Sequence, residues 1–310
     1  MSNSPRVVAV IATYRREAEL RRLLRELQGQ TQPLAGVVVA DNAAEEELQR
    51  LIANRQSPIS SFQAVYLPVP GNPGCGAGLK AAEEEALRRF PELTHVWILD
   101  DDAVPPPDCL AKLLAVLEAG AAELAAPLLS DSNGKLWAFP EPLDVGQRRV
   151  IRSCETPGDA LKKFGAAPHR LCWCTGTCLL VTRLALETSG LHRDDFWMLG
   201  EDLEFSMRIS ARMNAVFSCG IVVPHLPPEP PDAIAAAKVH RAKFLALLQN
   251  LSYLGFRKTH GFHMRRYVAG NIRRYFRTFG FSRATFTEAG LAFWHGAVLG
   301  EPAGKKAGKN

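Results

Sequence analysis

Three times in the first hundred residues a short, almost wholly apolar run gives way to a segment with helical spacing, and a fourth such run follows. RVVAVIATY precedes REAELRRLLRELQGQ, in which Leu20, Leu23, Leu24 and Leu27 recur at helical intervals and Gly29 marks a stop. GVVVADN precedes AAEEELQRLIANR. FQAVYLPV meets the glycine-rich turn GNPGCGAG, which opens the helix LKAAEEEALRRF, and THVWILDDD closes the series on three carboxylates. Apolar strands separated by helices of this length predict a mostly parallel sheet flanked by helices on both faces. Ligands of such sheets bind beyond the carboxyl ends of the strands. Thr13 and Tyr14, Asp41 and Asn42, Gly71 to Gly78, and Asp100 to Asp102 all fall at those ends.

The pattern loosens after residue 103. PPPDCLAKLLAVLEAG predicts a helix with Asp108 as its cap, AELAAPLL a fifth strand, and residues 130–170, rich in Gly and Pro, a long excursion over the active face. LCWCTGTCLLVTR reads as one returning strand, GEDLEFSMRISARM as a helix and NAVFSCGIVVPH as a last strand ending at His225. LPPEPPD is a linker by composition, after which AIAAAKVHRAKFLALLQNLSYLGF and RRYVAGNIRRYFRTF are helical. The expected organisation is a catalytic domain over residues 1–230, its nucleotide-binding half at about 1–102 and its acceptor-binding half at about 103–230, followed by a basic helical region at 231–310.

Composition sharpens this picture in two places. With 47% apolar residues in 310, the chain can fill a large core, which excludes disorder and disulfide-stapled miniproteins. Seven scattered cysteines in a chain of this size predict reduced thiols and a cytoplasmic location, and the N-terminus lacks the pattern of a signal peptide. Net charge is +5, but residues 237–310 hold 14 basic and 2 acidic residues, whereas residues 1–236 hold 23 and 30. The two parts must face different partners or each other.

ILDDDAVPPP is the most informative local stretch. In an extended segment Asp100 and Asp102 point to one side and Asp101 to the other. Two carboxylates on one side grip a hard divalent cation such as Mg²⁺ or Mn²⁺, which suits a substrate that carries phosphates. The alternative is a solvated loop leading to the helix cap, a role that Asp108 already fills. Asn72 and Gly74, with Gly76 and Gly78, let backbone approach a ligand at a helix N-terminus, or they form an ordinary turn. Their spacing is not that of a dinucleotide-binding fingerprint, and the carboxylates that follow disfavour a bare dinucleotide phosphate, which weighs against a dehydrogenase.

VIATYRR, ADN, GNPGCGAGLKAAEEEA, ILDDDAVPPP, CTGTCLLVTR and MLGEDLEFSMRIS, in this order and spacing, resemble the motifs of a family 2 glycosyltransferase with the GT-A fold. The likeness is greatest to the bacterial galactofuranosyltransferase and rhamnosyltransferase branch; it runs over residues 6–226, and FWHGAVLGEPAGK resembles the tail of small members. Pro73 and Cys75 depart from the more glycine-rich third motif of relatives. The resemblance implies an inverting, metal-dependent transfer from a UDP-sugar or dTDP-sugar to a glycan or polyprenyl-linked acceptor. It places Thr13, Tyr14 and Arg15 at the base and ribose, Asp41 at the uracil or thymine edge, and Asp101 in the metal loop near ribose. Asp100, Asp102 and His225 become ligands of Mn²⁺ or Mg²⁺. Asp202, with Glu201 beside it, becomes the base that takes the acceptor proton.

Trp173 and Trp197 flank the later motifs and suit either stacking on a sugar or packing in the core. Cys172, Cys174 and Cys178 lie along a strand without the arrangement of a zinc site. In the tail, Arg interleaved with Tyr, Phe, Ile and Val fits peripheral contact with the inner face of a membrane, or packing against the acidic domain. No nucleic-acid domain accompanies it, and oligomerisation is left open. A non-catalytic sugar-nucleotide or glycan-binding module is the alternative function. The retention of Asp100, Asp102 and Asp202 weighs against it.

Overall fold

The structure, a computed structural model, describes residues 4–53, 62–138, 140–227, 233–256 and 262–304. It separates into two compact units: Met1–Asn72 with Gly78–His192 and Phe205–Pro228, and Pro73–Ala77 with Arg193–Glu204 and Glu229–Asn310. The elements run β1 (Val7–Thr13), α1 (Glu17–Gln28), β2 (Gly36–Asp41), α2 (Glu46–Ala53), β3 (Gln63–Pro68), α3 (Cys75–Arg89), β4 (His95–Asp100) and α4 (Cys109–Gly120). There follow β5 (Leu124–Ser130), β6 (Leu136–Ala138), β7 (Glu141–Pro142), α5 (Val145–Ile151), α6 (Pro157–Phe164), β8 (His169–Trp173), β9 (Cys178–Thr182), α7 (Arg183–Ser189), α8 (Glu201–Ser210) and β10 (Ala215–Pro224). Helices α9 (Ala233–Phe256), α10 (Phe262–Phe279) and α11 (Arg283–Phe293) complete the chain, and α11 runs into a π-helical turn, Trp294–Leu299.

All the strands belong to the first unit and form one sheet in the order β3-β2-β1-β4-β9-β5-β10-β8-β7, with β6 paired to β5. The half from β3 to β4 is parallel. The other half corrects the expectation of a mostly parallel sheet, because β9 runs antiparallel between β4 and β5 and β8 runs antiparallel to β10. The stretch read as one strand is in fact two, since the chain leaves the sheet after Trp173 and re-enters at Cys178 between other neighbours. The break falls at Thr175, Gly176 and Thr177, which separate the two apolar runs.

The apolar face of α1 behaves as its spacing predicts. Leu20, Leu23, Leu24 and Leu27 are buried with Val7, Ala9 and Ile11 of β1 in one core cluster. Each such leucine contributes roughly 1.5–3 kcal/mol on leaving water. Trp97 of β4, fully buried, donates its indole N–H to Cys178 Sγ at 3.3 Å, which satisfies its one polar atom. The 130–170 excursion holds more regular structure than its Gly and Pro suggest. Asp144 caps α5 through Gln147 N, and Thr156 forms a capping box with Asp159 on α6. Asp108 stands at the cap position of α4, but its carboxylate reaches Lys112 at 2.7 Å instead of a backbone N–H.

The second unit is built on α9, α10 and α11, around buried Phe244, Leu248, Leu251, Leu254, Met264, Val268 and Tyr275. The end of the proline-rich linker, residues 228–232, and the first part of the basic stretch, 257–261, lie outside the described residues. Among the described residues no helix is long and apolar enough to cross a membrane.

Candidate active site

At the end of β4 in the first unit, Asp100, Asp102 and His225 each offer a ligand atom, and the three atoms lie within 4.8 Å of one another. Backbone stitching explains why residues so distant in sequence meet. Val104 N donates to Pro224 O at 2.9 Å, Leu226 N to Asp102 O at 3.0 Å and His225 N to Ser130 O at 2.8 Å, so the end of β10 is tied to the aspartate loop. The two carboxylates are brought together by a turn at Asp101 and Asp102 and not by strand alternation.

The charges of this cluster are under strain. Burial, and then the neighbouring Asp102, push Asp100 up to about 7, while Thr177 Oγ1 donates to its Oδ2 at 2.9 Å. Burial also pushes Asp101 up to about 6 against the opposing pull of Arg16. Asp102 goes the other way: burial would raise it, but His225 and Arg16 outweigh burial and hold it below the usual carboxylate value. His225 Nε2 stands 3.0 Å from Asp102 Oδ1, yet that oxygen and His225 Nδ1 are buried without a hydrogen-bond partner among the described residues. A half-buried carboxylate, a buried one and a buried imidazole, converging with an orphaned oxygen, fit a divalent cation. Below about pH 7 an ion binding there must displace the proton of Asp100.

Beside the cluster, Asp101 has both oxygens engaged: Thr13 Oγ1 donates to one at 2.7 Å and Arg16 Nη1 to the other at 2.9 Å. Arg16 also reaches Asp102 Oδ2 at 2.8 Å. Of the residues assigned to base and ribose, Thr13 is thus buried on Asp101. Tyr14 is exposed at the strand end with the Arg15 guanidinium 5.2 Å over its ring. Asp41 is fully buried; it accepts from Ala43 N, Glu45 N and the Tyr66 hydroxyl, and so holds the turn that follows β2. Asn72 takes up a left-handed backbone and donates its N–H to Asn42 O at 3.1 Å. Trp173, on β8, is buried.

The remaining predicted residues lie in the second unit. Gly74 has φ +110°, and a Cβ there would collide with the Trp197 backbone, so this position requires glycine. Cys75 N donates to Trp197 O at 2.8 Å, and Trp197 N donates to Ala303 O at 3.0 Å. Glu201, Asp202 and Glu204 form the acidic first turn of α8; Glu201 and Glu204 are buried and Asp202 is partly exposed. Asn250 of α9, fully buried, donates to the carbonyls of Met198 and Leu199 and accepts from Ala303 N at 2.6 Å. That amide fixes the left-handed turn at Leu199 and Gly200 from which α8 starts.

Four residues of these surroundings are not visible as such in the sequence. Arg16, and not Arg15, grips the aspartates; Thr177 buttresses Asp100; Asn250 positions the GED turn. Trp137 of β6 stacks on the His225 imidazole with centroids 3.9 Å apart and planes at 28°. His225 Nδ1 has no hydrogen bond among the described residues, so the indole face and the Asp102 carboxylate beside Nε2 are what orient this ring. Loss of a group that orients a metal ligand costs on the order of tenfold in metal affinity. Trp137→Ala is therefore expected to weaken Mn²⁺ binding about tenfold, and Trp137→Phe to retain most of it, by calorimetric titration. Equal affinity in Trp137→Ala and the parent would remove Trp137 from this role.

With this geometry in place, comparison with known proteins becomes informative. The family described as "Glycosyl transferase family 2" matches residues 8–186, more than half of the chain. Two strains of Mycobacterium tuberculosis, CDC 1551 and H37Rv, have an N-acetylglucosaminyl-diphospho-decaprenol L-rhamnosyltransferase 24% identical over 219 residues, covering 66% of this chain and 69% of the relative. Among solved structures, S. aureus TarS 1-349 in complex with UDP-GlcNAc is similar with a TM-score of 0.59 at 14% identity, over 94% of this chain and 81% of that one. GalNAc-T7 with UDP, GalNAc and Mn²⁺ has a TM-score of 0.55 at 15% identity, over 85% of this chain and 55% of that one. At these identities the structures share the fold.

Proposed function

We propose, from the premise that this chain belongs to glycosyl transferase family 2 and is a metal-assisted glycosyltransferase, that it inverts the sugar it moves from a UDP-sugar or dTDP-sugar to a glycan or polyprenyl-linked acceptor. The observation that carries this reading is the convergence of Asp100, Asp102 and His225 at the carboxyl end of β4. Rhamnose is the favoured donor sugar, with galactofuranose beside it. The name of the mycobacterial relative supports the first, and its decaprenol-linked substrate supports a lipid-linked acceptor. UDP and UDP-GlcNAc in the structural neighbours support a nucleotide-sugar donor.

In this reading Asp100, Asp102 and His225 hold Mn²⁺ or Mg²⁺. A divalent ion held there supplies neutralisation of the charge that develops on the departing diphosphate. Thr13 and Arg16 keep the Asp101 carboxylate turned back onto β1, so the loop keeps its shape through turnover. Asp202 takes the acceptor hydroxyl proton on a carboxylate oxygen as that hydroxyl attacks the anomeric carbon opposite the nucleotide. Glu201 raises the basicity of its neighbour or binds a sugar hydroxyl. Tyr14, Arg15 and Asn72 take the nucleoside end, where Asp41 acts by holding the turn after β2.

A screen of dTDP-rhamnose, UDP-galactofuranose, UDP-GlcNAc and UDP-glucose for release of the nucleoside diphosphate tests this, with and without Mn²⁺. Slow hydrolysis reports turnover even when the acceptor is missing. The expected result is metal-dependent release from dTDP-rhamnose above the others. Release that is indifferent to a chelator overturns the metal assignment, and release from UDP-GlcNAc alone overturns the choice of sugar.

A further inference from the structure

The corner between α10 and α11 in the second unit is unlike the rest of the described surface. Gly280, at φ +76°, stops α10, and Ser282 caps α11 through a box with Thr285, so the corner is firmly built. It nevertheless presents Phe281 at 74% exposure, the highest of any large apolar side chain described, and Phe286 at 57%. Both rings rest on Phe276, with centroids 4.8 and 4.6 Å away. Leu291 and Trp294, three residues apart at the end of α11 and the start of the turn after it, are exposed as well.

The charge around these rings has one sign. Arg273, Arg277 and Arg283 are exposed and have no ion pair among the described residues. From Arg265 to Thr287 the sequence has no acidic residue. The first one beyond, Glu288, is consumed: Arg241 Nη2 donates to it at 2.6 Å and the Tyr275 hydroxyl at 2.7 Å, and the bond from Tyr275 first, then Arg241, holds its carboxyl below the usual value. Among the described residues no carboxylate pairs with these arginines, and Phe281 and Phe286 stay exposed.

We propose that this corner docks the protein on an anionic phospholipid bilayer, with Phe281 and Phe286 entering the headgroup and acyl boundary and Arg273, Arg277 and Arg283 meeting lipid phosphates. Exposed rings beside long cationic side chains match the two layers of such a surface, apolar below and anionic above. A second copy of the chain would bring the same positive corner and be repelled. A nucleic acid would answer the arginines but not the exposed aliphatic side chain of Leu291, which has no ring face for a base to stack on.

The test is co-sedimentation of the full chain with vesicles of phosphatidylcholine alone or of phosphatidylcholine with phosphatidylglycerol. Sedimentation is expected with phosphatidylglycerol only, and to weaken as salt screens the arginines. Arg273→Glu/Arg277→Glu should lose the dependence on phosphatidylglycerol, since each arginine near an anionic surface is worth about fivefold in affinity. Phe281→Ser/Phe286→Ser should lower the partition coefficient by roughly tenfold or more. Thermal melts by circular dichroism establish that each variant folds; if the double variant does not, Phe281→Ser alone changes a side chain that is mostly in solvent. Equal sedimentation with both vesicle types overturns the proposal. So does vesicle affinity that survives loss of Phe281 while falling with the arginines, because the corner would then be a general site for polyanions such as nucleic acid or an acidic protein.

Discussion

Asp102→Ala is expected to abolish the metal-dependent part of nucleotide binding while leaving the fold intact. Asp102 is the hinge of the cluster: one oxygen stands 3.0 Å from His225 Nε2 without a hydrogen bond, and the other accepts from Arg16 at 2.8 Å. Removing the side chain deletes a ligand and leaves Asp100 and His225, too few to hold a hard cation against water. The scaffold survives because it is made by backbone: Leu226 N to Asp102 O and Val104 N to Pro224 O do not involve the side chain. Arg16 keeps Asp101 as its partner. The measurement is calorimetry of UDP with and without Mn²⁺. In the parent the ion should strengthen binding, and in the variant the two titrations should coincide, a loss of several kcal/mol of charge stabilisation. A variant that still binds UDP more tightly with Mn²⁺ would show that the ion is held elsewhere.

How far the sequence disclosed this site depended on the kind of signal each residue carried. Strands β1 to β4 and helices α1 to α3 were legible because each strand ends on a chemically distinct residue and each helix repeats its apolar positions. Asp100, Asp102 and His225 could be grouped through motif order, and the structure brings them together. Thr177 is hidden as long as LCWCTGTCLLVTR is read as one strand, because it then has no assigned neighbour. Once Leu99 is known to pair with Cys178 antiparallel, the residue before Cys178 must fall opposite Asp100. Trp137 lies in the Gly- and Pro-rich excursion, where a three-residue strand has too few positions to show any period. Asn250 is one of several polar residues in α9, and nothing in the sequence sets it apart until its amide is seen holding two carbonyls of the turn before α8. Arg16 was one of two adjacent arginines. Only the left-handed backbone at Arg15 decides which of them turns toward the aspartates.

Asp202→Asn is expected to keep donor and metal binding but lose transfer. Asn preserves the size of the side chain and a carbonyl oxygen for the bond now received from Leu203 N at 2.7 Å, so the first turn of α8 should persist. What it removes is the capacity to accept a proton, which matters only as the acceptor oxygen attacks. Loss of a general base costs about 10²- to 10⁴-fold, or about 3 to 5 kcal/mol at 1.36 kcal/mol per decade. The acidic first turn also favours the helix dipole, but that interaction is worth only about 0.3–1 kcal/mol, too little to account for such a loss. Glu201 is the rival for the role, yet it is 7% exposed and Glu204 is 3% exposed, whereas Asp202 retains access to solvent and hence to a substrate hydroxyl. Glu201→Gln should therefore lower transfer less than Asp202→Asn. The check is steady-state transfer at saturating donor and acceptor, beside nucleotide affinity on the same preparations. Transfer by Asp202→Asn within about threefold of the parent, or greater damage from Glu201→Gln, would move the proton to the neighbouring carboxylate.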